Sequence, residues 1–137
     1  MSGVLDRLQP LALFVLRVAL GAIMIAHGKE KVFGGMAKHI AFIHSIGVPL
    51  PTLMAYLSAG AEFVGGILLV VGLFTRIASF AICVDMLVAI FKVHLKNGFT
   101  GQGNYQFPLA LAVIAFALIF YGAGPISLDW AIGKKGR

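Results

Sequence analysis

The sequence is poor in charged residues and contains a single cysteine among its 137 residues. Charged residues make up 12% of the chain, whereas soluble domains have about 25%. Hydrophobic residues make up 60%, whereas soluble domains have about 45–50%. A soluble domain of this length cannot bury so much apolar surface, because small domains leave much of their surface in water. The composition therefore excludes a soluble globular domain and a disordered chain, and it favours an integral membrane protein.

Other absences narrow the function further. A lone Cys83 excludes an internal disulfide, a CxxC redox pair and a cysteine-based zinc or iron–sulfur site. The sequence has no GxxxxGK[ST], GxGxxG or GxSxG motif and no HExxH or HxxxH spacing, so it predicts no nucleotide, serine-hydrolase or metal site. The net charge is +6. Most of the cations flank apolar runs, where they would meet lipid phosphates, so we expect a lipid bilayer and no nucleic acid as partner.

What the sequence has in abundance is long apolar runs. A membrane-spanning helix needs about 20 mostly apolar residues. With their flanking residues included, four runs predict spans at about 9–28, 52–74, 76–96 and 105–123. Between the first two spans, Met36, Ile40 and Ile43 recur at helical spacing, while Lys38 and His39 are expected to point elsewhere. The sequence therefore predicts an all-α fold, a single four-helix transmembrane bundle over residues 1–137 with a short interfacial helix between helices 1 and 2.

The orientation of the chain is weakly encoded, because the two sides of the predicted bundle carry nearly equal numbers of cations. The side of the termini holds Arg7, Arg76, Lys134, Lys135 and Arg137. The C-terminal tail is dense in cations and the turn at Arg76 is tight. We therefore expect both termini in the cytoplasm, with the protein in the cell (inner) membrane.

Three ionisable residues, Arg17, Glu62 and Asp85, fall well inside the predicted spans. Such residues are costly in lipid and are therefore functional candidates. Counted from the starts of their spans, all three reach mid-depth, which allows a buried ion pair between Arg17 and Glu62 on consecutive antiparallel helices. That pair would either lock two helices or serve as polar anchor and proton acceptor. Asp85 shares a face with Lys92, and a subunit interface explains it equally well.

Small residues accompany two of these charges. Gly21, Met24 and Gly28 continue the face of Arg17, and Ser58, Gly65 and Gly66 lie beside Glu62. Small residues on a helix face allow close helix approach in lipid. Both charges are therefore expected to face the interior of the bundle rather than the lipid.

A polar group lies at the expected outer boundary of the membrane. His27 and His94 end their spans there, and the linker before the last span adds Tyr105 and Gln106. Such a group suits a quinone headgroup, a metal or a proton shuttle, and single histidines there also suit contacts with water and headgroups. His94 follows Asp85 by nine residues and therefore lies on the opposite side of the same helix, so the two cannot face one pocket. If Arg17 and Glu62 serve a site, we expect the face of His94 to be its partner on the third helix.

Three ordered sets of residues cover nearly the whole chain. The first contains Arg17, Gly21, His27, Gly28, Lys31, Gly34 and Gly35; the second contains Glu62, Gly65, Gly66, Gly72, Thr75 and Arg76; the third contains Gly122, Gly124, Ser127, Leu128 and Asp129. Together they resemble the DoxX family of membrane proteins. The resemblance implies a four-helix bundle linked to membrane redox chemistry, since relatives include subunits of quinone-reducing thiosulfate oxidation. Gln106 departs from the family, because many members have a glutamate there.

The sequence and the resemblance together predict a redox-associated subunit of the inner membrane, a part of a quinone-linked oxidoreductase. Glu62 and His94 are the candidate catalytic residues. The candidate binding residues are Arg17, His27, Tyr105 and Gln106. Because the chain holds no complete redox centre, electron transfer would need a quinone cofactor or a redox partner subunit. The alternatives are a scaffold that contacts other subunits or a second copy of the chain, and a transporter of a small solute.

Overall fold

The computed structural model describes residues 2–135, and all regular structure in that part is helical. The helices are α1 (Ser2–Arg7), α2 (Gln9–Val32), α3 (Met36–Ser45), α4 (Pro51–Val71), α5 (Thr75–Ala89), α6 (Gln106–Tyr121) and α7 (Leu128–Lys135). The helical path of α5 continues through a π-helical turn (Ile90–His94) and a 3-10 turn (Leu95–Asn97). The all-α prediction is confirmed for this part of the chain. Of the tail cations used to predict orientation, Arg137 and the side chains of Lys134 and Lys135 lie outside the described part.

Three helical segments are long and apolar enough to cross a membrane: α2, α4 and the continuous stretch Thr75–Asn97. They contain 24, 21 and 23 residues. At about 1.5 Å per residue each exceeds the ~30 Å hydrocarbon core of a bilayer. The last apolar helix, α6, is shorter, at 16 residues. The chain is therefore a membrane protein.

Local sequence sets the ends of α4. Leu50 has a positive φ of 51° and is followed by Pro51, which suits the first position of a helix because proline has no N–H to satisfy there. At the other end Gly72 takes a φ of 74°, and its N–H bonds the Leu68 carbonyl. A left-handed glycine is a common helix terminator. Because Gly72 ends α4 and α5 begins at Thr75, the connection between these two helices is short.

Helix α2 packs along α4 through glycine. A Cβ added to Gly21 would lie 2.6 Å from the Gly66 carbonyl oxygen, and one added to Gly66 would lie 2.7 Å from the Gly21 oxygen. Farther along, Gly28 lies against the backbone of Phe63. The expected small-residue faces are confirmed, and they bring the two backbones into direct contact.

The apolar core fills the space between α2, α4, α5 and α6. Its fully buried members are Leu20, Met24, Leu69, Ile82, Ala115 and Leu118. Helix α6 packs against α5, and α3 packs against α4 through the buried Ile43. The core separates two polar regions, one around Arg17 and one around Glu62.

Candidate functional site

The Arg17 guanidinium is bonded entirely to backbone carbonyls. Its Nε donates to Leu69 O at 2.6 Å, Nη1 to Ala123 O at 2.7 Å and Nη2 to Ile126 O at 2.8 Å. The residue is 1% exposed, and its guanidinium lies 5.3 Å from the centroid of the Phe14 ring. Arg17 therefore joins the end of α4 to the segment that follows α6.

The predicted ion pair between Arg17 and Glu62 is wrong, and the register of α2 on α4 explains why. Gly21 meets Gly66 and Gly28 meets Phe63, so Arg17 falls beside the last turn of α4. The two depths predicted from the sequence are counted from opposite membrane faces, because α2 and α4 are antiparallel. Since α2 has 24 residues and is about 36 Å long, both charges fit inside the membrane at different depths.

The segment after α6 forms hydrogen bonds with the turn between α4 and α5 and stabilises it. The Asp129 carboxylate accepts the N–H of Phe74 through Oδ1 at 2.8 Å and the N–H of Thr75 through Oδ2 at 2.9 Å. The Asp129 N–H in turn donates to Gly72 O at 2.8 Å. Asp129 thus caps the N-terminus of α5 from a distant part of the chain. The residues that resemble the DoxX ending have a structural role here.

Four side chains from three helices meet in what we call the carboxyl cluster, which comprises Lys31, Ser58, Glu62 and Asp85. Lys31 Nζ donates to Glu62 Oε1 at 2.6 Å. The Ser58 hydroxyl lies 3.2 Å from Glu62 Oε2 and 2.6 Å from Asp85 Oδ1. Glu62 is 3% exposed, while the Lys31 side chain is 28% exposed. The cluster therefore extends from a partly open lysine to two carboxyl groups inside the membrane.

Helix geometry assembles this cluster. Ser58 and Glu62 are one turn apart on α4, so they share a face. Lys31 lies in the last turn of α2, beside the middle of α4. Asp85 is ten residues into α5, about 15 Å along it, and it reaches Ser58 instead of Lys92. The expectation that Glu62 would face His94 is therefore wrong, because α5 turns Asp85 toward α4.

His39 on α3 lies near the same cluster, close enough for its charge to interact with those of Lys31 and Glu62, and the spacing of apolar residues in α3 does not predict this. Its ring is half-buried, and Nε2 is buried with no hydrogen-bond partner among the described residues. Burial and the nearby Lys31 charge lower the pKa of His39 below its usual 6.5, and the Glu62 charge opposes them. The expectation that His39 points away is wrong. A usable signal was present, since Ile43 is buried and His39 is one turn before it.

The cluster is suited to hold a proton. It places two carboxyl groups near one lysine, and the single hydrogen of the Ser58 hydroxyl can go to only one carboxylate at a time. Asp85 Oδ2 is buried without a partner in the part of the chain that the structure describes. Uncompensated negative charge is costly in a membrane interior. A proton held between Glu62 and Asp85 removes that charge and supplies the missing donor.

Three of the other predicted site residues lie in or beside the loop before α6. His94 Nδ1 is 2.9 Å from Gly103 O, and Gln106 Nε2 donates to Phe99 O at 2.6 Å. The Tyr105 ring packs edge-on against Phe99, with centroids 5.5 Å apart. These contacts hold the loop, and the side-chain hydrogen bonds of His94 and Gln106 are to backbone carbonyls.

His27 lies near the start of α6. Its Nδ1 is 2.9 Å from Ile23 O, one turn earlier on α2, and its exposed ring stacks 6.0 Å from the Phe107 ring. The ends of α2 and of the α5 path therefore share one membrane face with the start of α6, as the topology requires. A search of the described residues finds no group of three or more His, Cys, Asp or Glu side chains placed to hold a metal ion.

Comparison with known proteins gives a family and membrane relatives. A family model described as DoxX matches residues 12–95, a range that contains the whole carboxyl cluster. A Bacillus subtilis protein named "Putative oxidoreductase CatD" is 40% identical over 88% of each chain. Escherichia coli inner membrane protein YphA is 31% identical over 88% of this chain and 90% of its own. A Mycobacterium tuberculosis membrane protein is 26% identical over 92% of this chain and 84% of its own. No solved structure matches.

Proposed function

The chain belongs to the DoxX family of membrane proteins, and on that premise we propose that it is the membrane subunit of a quinone-linked oxidoreductase. The carboxyl cluster would exchange protons with a quinone, or a similar small amphiphile, bound beside it. The observation that carries the proposal is the meeting of Glu62 and Asp85 at the Ser58 hydroxyl inside the membrane. The relation to a protein named as an oxidoreductase supports the redox assignment.

The proposal includes an arrangement in the membrane. Helix α6 is the fourth span of a four-helix bundle, since it packs along α5 and is apolar throughout. Helix α3 lies in the interface, with the buried Ile43 toward α4. Both termini are in the cytoplasm, and the relation to an inner membrane protein of Escherichia coli supports placement in the inner membrane.

The buried polar atoms without partners fit a quinone headgroup. Asp85 Oδ2 and His39 Nε2 are both buried and border the cluster, and no residue of the described chain bonds either atom. Carbonyl oxygens of a headgroup would accept hydrogen bonds from a protonated Asp85 and from the His39 ring. A quinone, when bound, supplies the acceptor for two electrons and two protons, and a redox partner subunit supplies the electrons.

The residues of the chain then have distinct tasks. Lys31 holds Glu62 by charge at the partly open end of the cluster. Ser58 links Glu62 to Asp85, so a proton taken up at Glu62 reaches Asp85 through one hydroxyl. In this proposal Asp85, instead of the predicted His94, is the second catalytic residue beside Glu62. Arg17 stabilises the packing of α2 against the end of α4 and the segment after α6. His27, Tyr105 and Gln106 lie at the membrane face toward which Lys31 is partly exposed.

Two alternatives fit the structure less well. A transporter of a small solute needs a polar path through the bundle, but Leu20, Met24 and Leu69 are fully buried between the regions of Arg17 and Glu62. A scaffold needs no buried pair of carboxyl groups, since those groups cost stability. A second copy of the chain remains compatible with the proposal.

Binding of a short-chain ubiquinone or menaquinone analogue to the protein in nanodiscs tests the proposal. Wild-type protein should show saturable binding. Asp85→Leu, which removes the donor to a headgroup carbonyl, should weaken it by roughly tenfold, the loss of one hydrogen bond, and Glu62→Gln, which removes the carboxyl group that shares the proton with Asp85, should weaken it as well. Asp6→Asn is the matched control, because Asp6 is an exposed carboxylate on α1. Equal affinity in wild type and both cluster variants, with melting temperatures unchanged, would contradict the proposal.

A further inference from the structure

A groove lies on the opposite membrane face from Lys31, where α5 begins and α6 ends. It encloses about 570 Å³, and helix α7 forms one side. The residues that line it and matter here are Phe74, Thr75, Arg76, Tyr121, Asp129 and Trp130. None of them belongs to the carboxyl cluster, so the groove is a separate site.

One residue that lines the groove has a buried hydroxyl without a partner among the described residues. Thr75 is fully buried and lines the groove, and its Oγ1 bonds nothing within the described chain. Buried polar atoms nearly always have partners, and the Thr75 hydroxyl is therefore available to an oxygen of a bound molecule. The N-terminus of α5 is not itself the site, because Asp129 already accepts the N–H groups of Phe74 and Thr75.

The rim of the groove is positively charged. Arg76 is exposed, and the hydrogen bond found for its guanidinium is a long one, 3.3 Å from Nη1 to Ile119 O. Its remaining N–H groups bond no other residue in the described part of the chain, and the planar guanidinium is well suited to bind a phosphate. The Asp129 charge is balanced by the N-terminus of α5 and by its electrostatic interaction with Arg17. Arg76 is therefore the cation to which an anion at the rim would bind.

The walls of the groove are aromatic. Phe74, Tyr121 and Trp130 are all exposed, and they stand where two apolar helices meet the membrane boundary. Tyrosine and tryptophan concentrate at that level in membrane proteins because one end of each ring is apolar and the other polar. Such walls suit the glycerol and first acyl carbons of a lipid, which a soluble anion lacks.

We propose that this groove binds an anionic phospholipid through its phosphate headgroup. Arg76 donates to the phosphate oxygens at the rim, the Thr75 hydroxyl meets a headgroup oxygen, and the aromatic walls contact the glycerol region. The site is independent of quinone binding, since it uses other residues at the other membrane face. Phosphatidylglycerol is the probe lipid, and phosphatidylcholine, which has no net charge, is its comparison.

Native mass spectrometry of the purified protein in mild detergent, titrated with each lipid, tests the site. We expect phosphatidylglycerol to be retained at roughly tenfold lower concentration than phosphatidylcholine. Arg76→Gln should reduce that preference roughly fivefold, as expected for one cation near a lipid surface. Thr75→Val should weaken retention of phosphatidylglycerol, while Arg7→Gln, which removes another exposed cation predicted on this face, should leave it unchanged.

Arg76→Lys separates the role of charge from that of the planar guanidinium, because it keeps the charge and removes the planar donor pair. It should bind phosphatidylglycerol with intermediate strength. Full preference for phosphatidylglycerol in Arg76→Gln, with an unchanged melting temperature, would overturn the proposal. So would inorganic phosphate that displaces the lipid at equal concentration, because the site would then recognise a free anion and not a lipid.

Discussion

Lys31 and Glu62 form an ion pair, with Nζ and Oε1 2.6 Å apart, that joins the last turn of α2 to the middle of α4. Glu62 is 3% exposed, so Lys31 neutralises a charge that would otherwise be isolated in the membrane. The lysine reaches inward from the membrane face instead of extending toward the headgroups. The pair therefore connects the surface of the protein to the carboxyl cluster.

Removal of the lysine should destabilise the protein. Lys31→Met leaves Glu62 without its cation, and we expect the free energy of unfolding to fall by about 1–3 kcal/mol, because the pair is only partly buried. Denaturant unfolding in detergent measures this. Lys29 is an exposed lysine half a helical turn before Lys31 on α2, and Lys29→Met should leave the free energy of unfolding nearly unchanged. The double variant Lys31→Met/Glu62→Gln should recover part of the loss; a double variant as unstable as the sum of both singles would contradict the pairing.

The small-residue faces could be predicted from sequence because their cause is local. Gly21 and Gly28 are seven residues apart, which is two helical turns, so they must lie on one side of α2, and in lipid a side with small residues packs against another helix. Gly21 and Gly66 do meet. To predict which charges pair, one must know the register of α2 on α4. The contacts of Gly21 and Gly28 with α4 set that register, and the predicted bounds of the spans do not reveal it. Arg17 bonds the Leu69 carbonyl and therefore lies about two helical turns, or ~10 Å, along α4 from its predicted partner Glu62.

The site itself was only partly predictable. The cost of charge in lipid identified Glu62 and Asp85 one by one. Their meeting depends on the rotation of α5, which turns Asp85 to the Ser58 hydroxyl and which no periodicity in the sequence determines. His39 could have been found, because it precedes the core residue Ile43 by one turn on α3. The apolar residues of α3 alone do not place His39 on the buried side of that helix.

The contact between Gly21 and Gly66 gives a second prediction. Gly66→Ala places a Cβ 2.7 Å from the Gly21 carbonyl oxygen, so α2 and α4 must separate. We expect a loss of about 1–3 kcal/mol, as for overpacking of a well-packed core. Gly60→Ala is the matched control on the same helix, since a Cβ there meets nothing within 4 Å. Unfolding curves that coincide for the two variants would show that the helix contact is looser than described.

Arg17 gives a third prediction, which concerns geometry rather than charge. Its three donors satisfy carbonyls of Leu69, Ala123 and Ile126 in fixed directions. Arg17→Lys keeps the charge but cannot reach all three, so it should lose about 2 kcal/mol or more of stability. Arg7→Lys, at the exposed end of α1, should cost almost nothing. Melting temperatures in detergent would distinguish the two; a stable Arg17→Lys protein would mean that charge alone is required.

His39 predicts how stability depends on pH. Burial and Lys31 lower its pKa below 6.5, so the folded protein resists a proton that the unfolded chain accepts. By linkage, this contribution is present in full above about pH 6.5 and is lost as the pH falls below it. The melting temperature should therefore drop on acidification in wild type and drop less in His39→Gln. His44→Gln, an exposed histidine of the same helix, should keep the wild-type dependence. Equal slopes in wild type and His39→Gln would exclude His39 as their source.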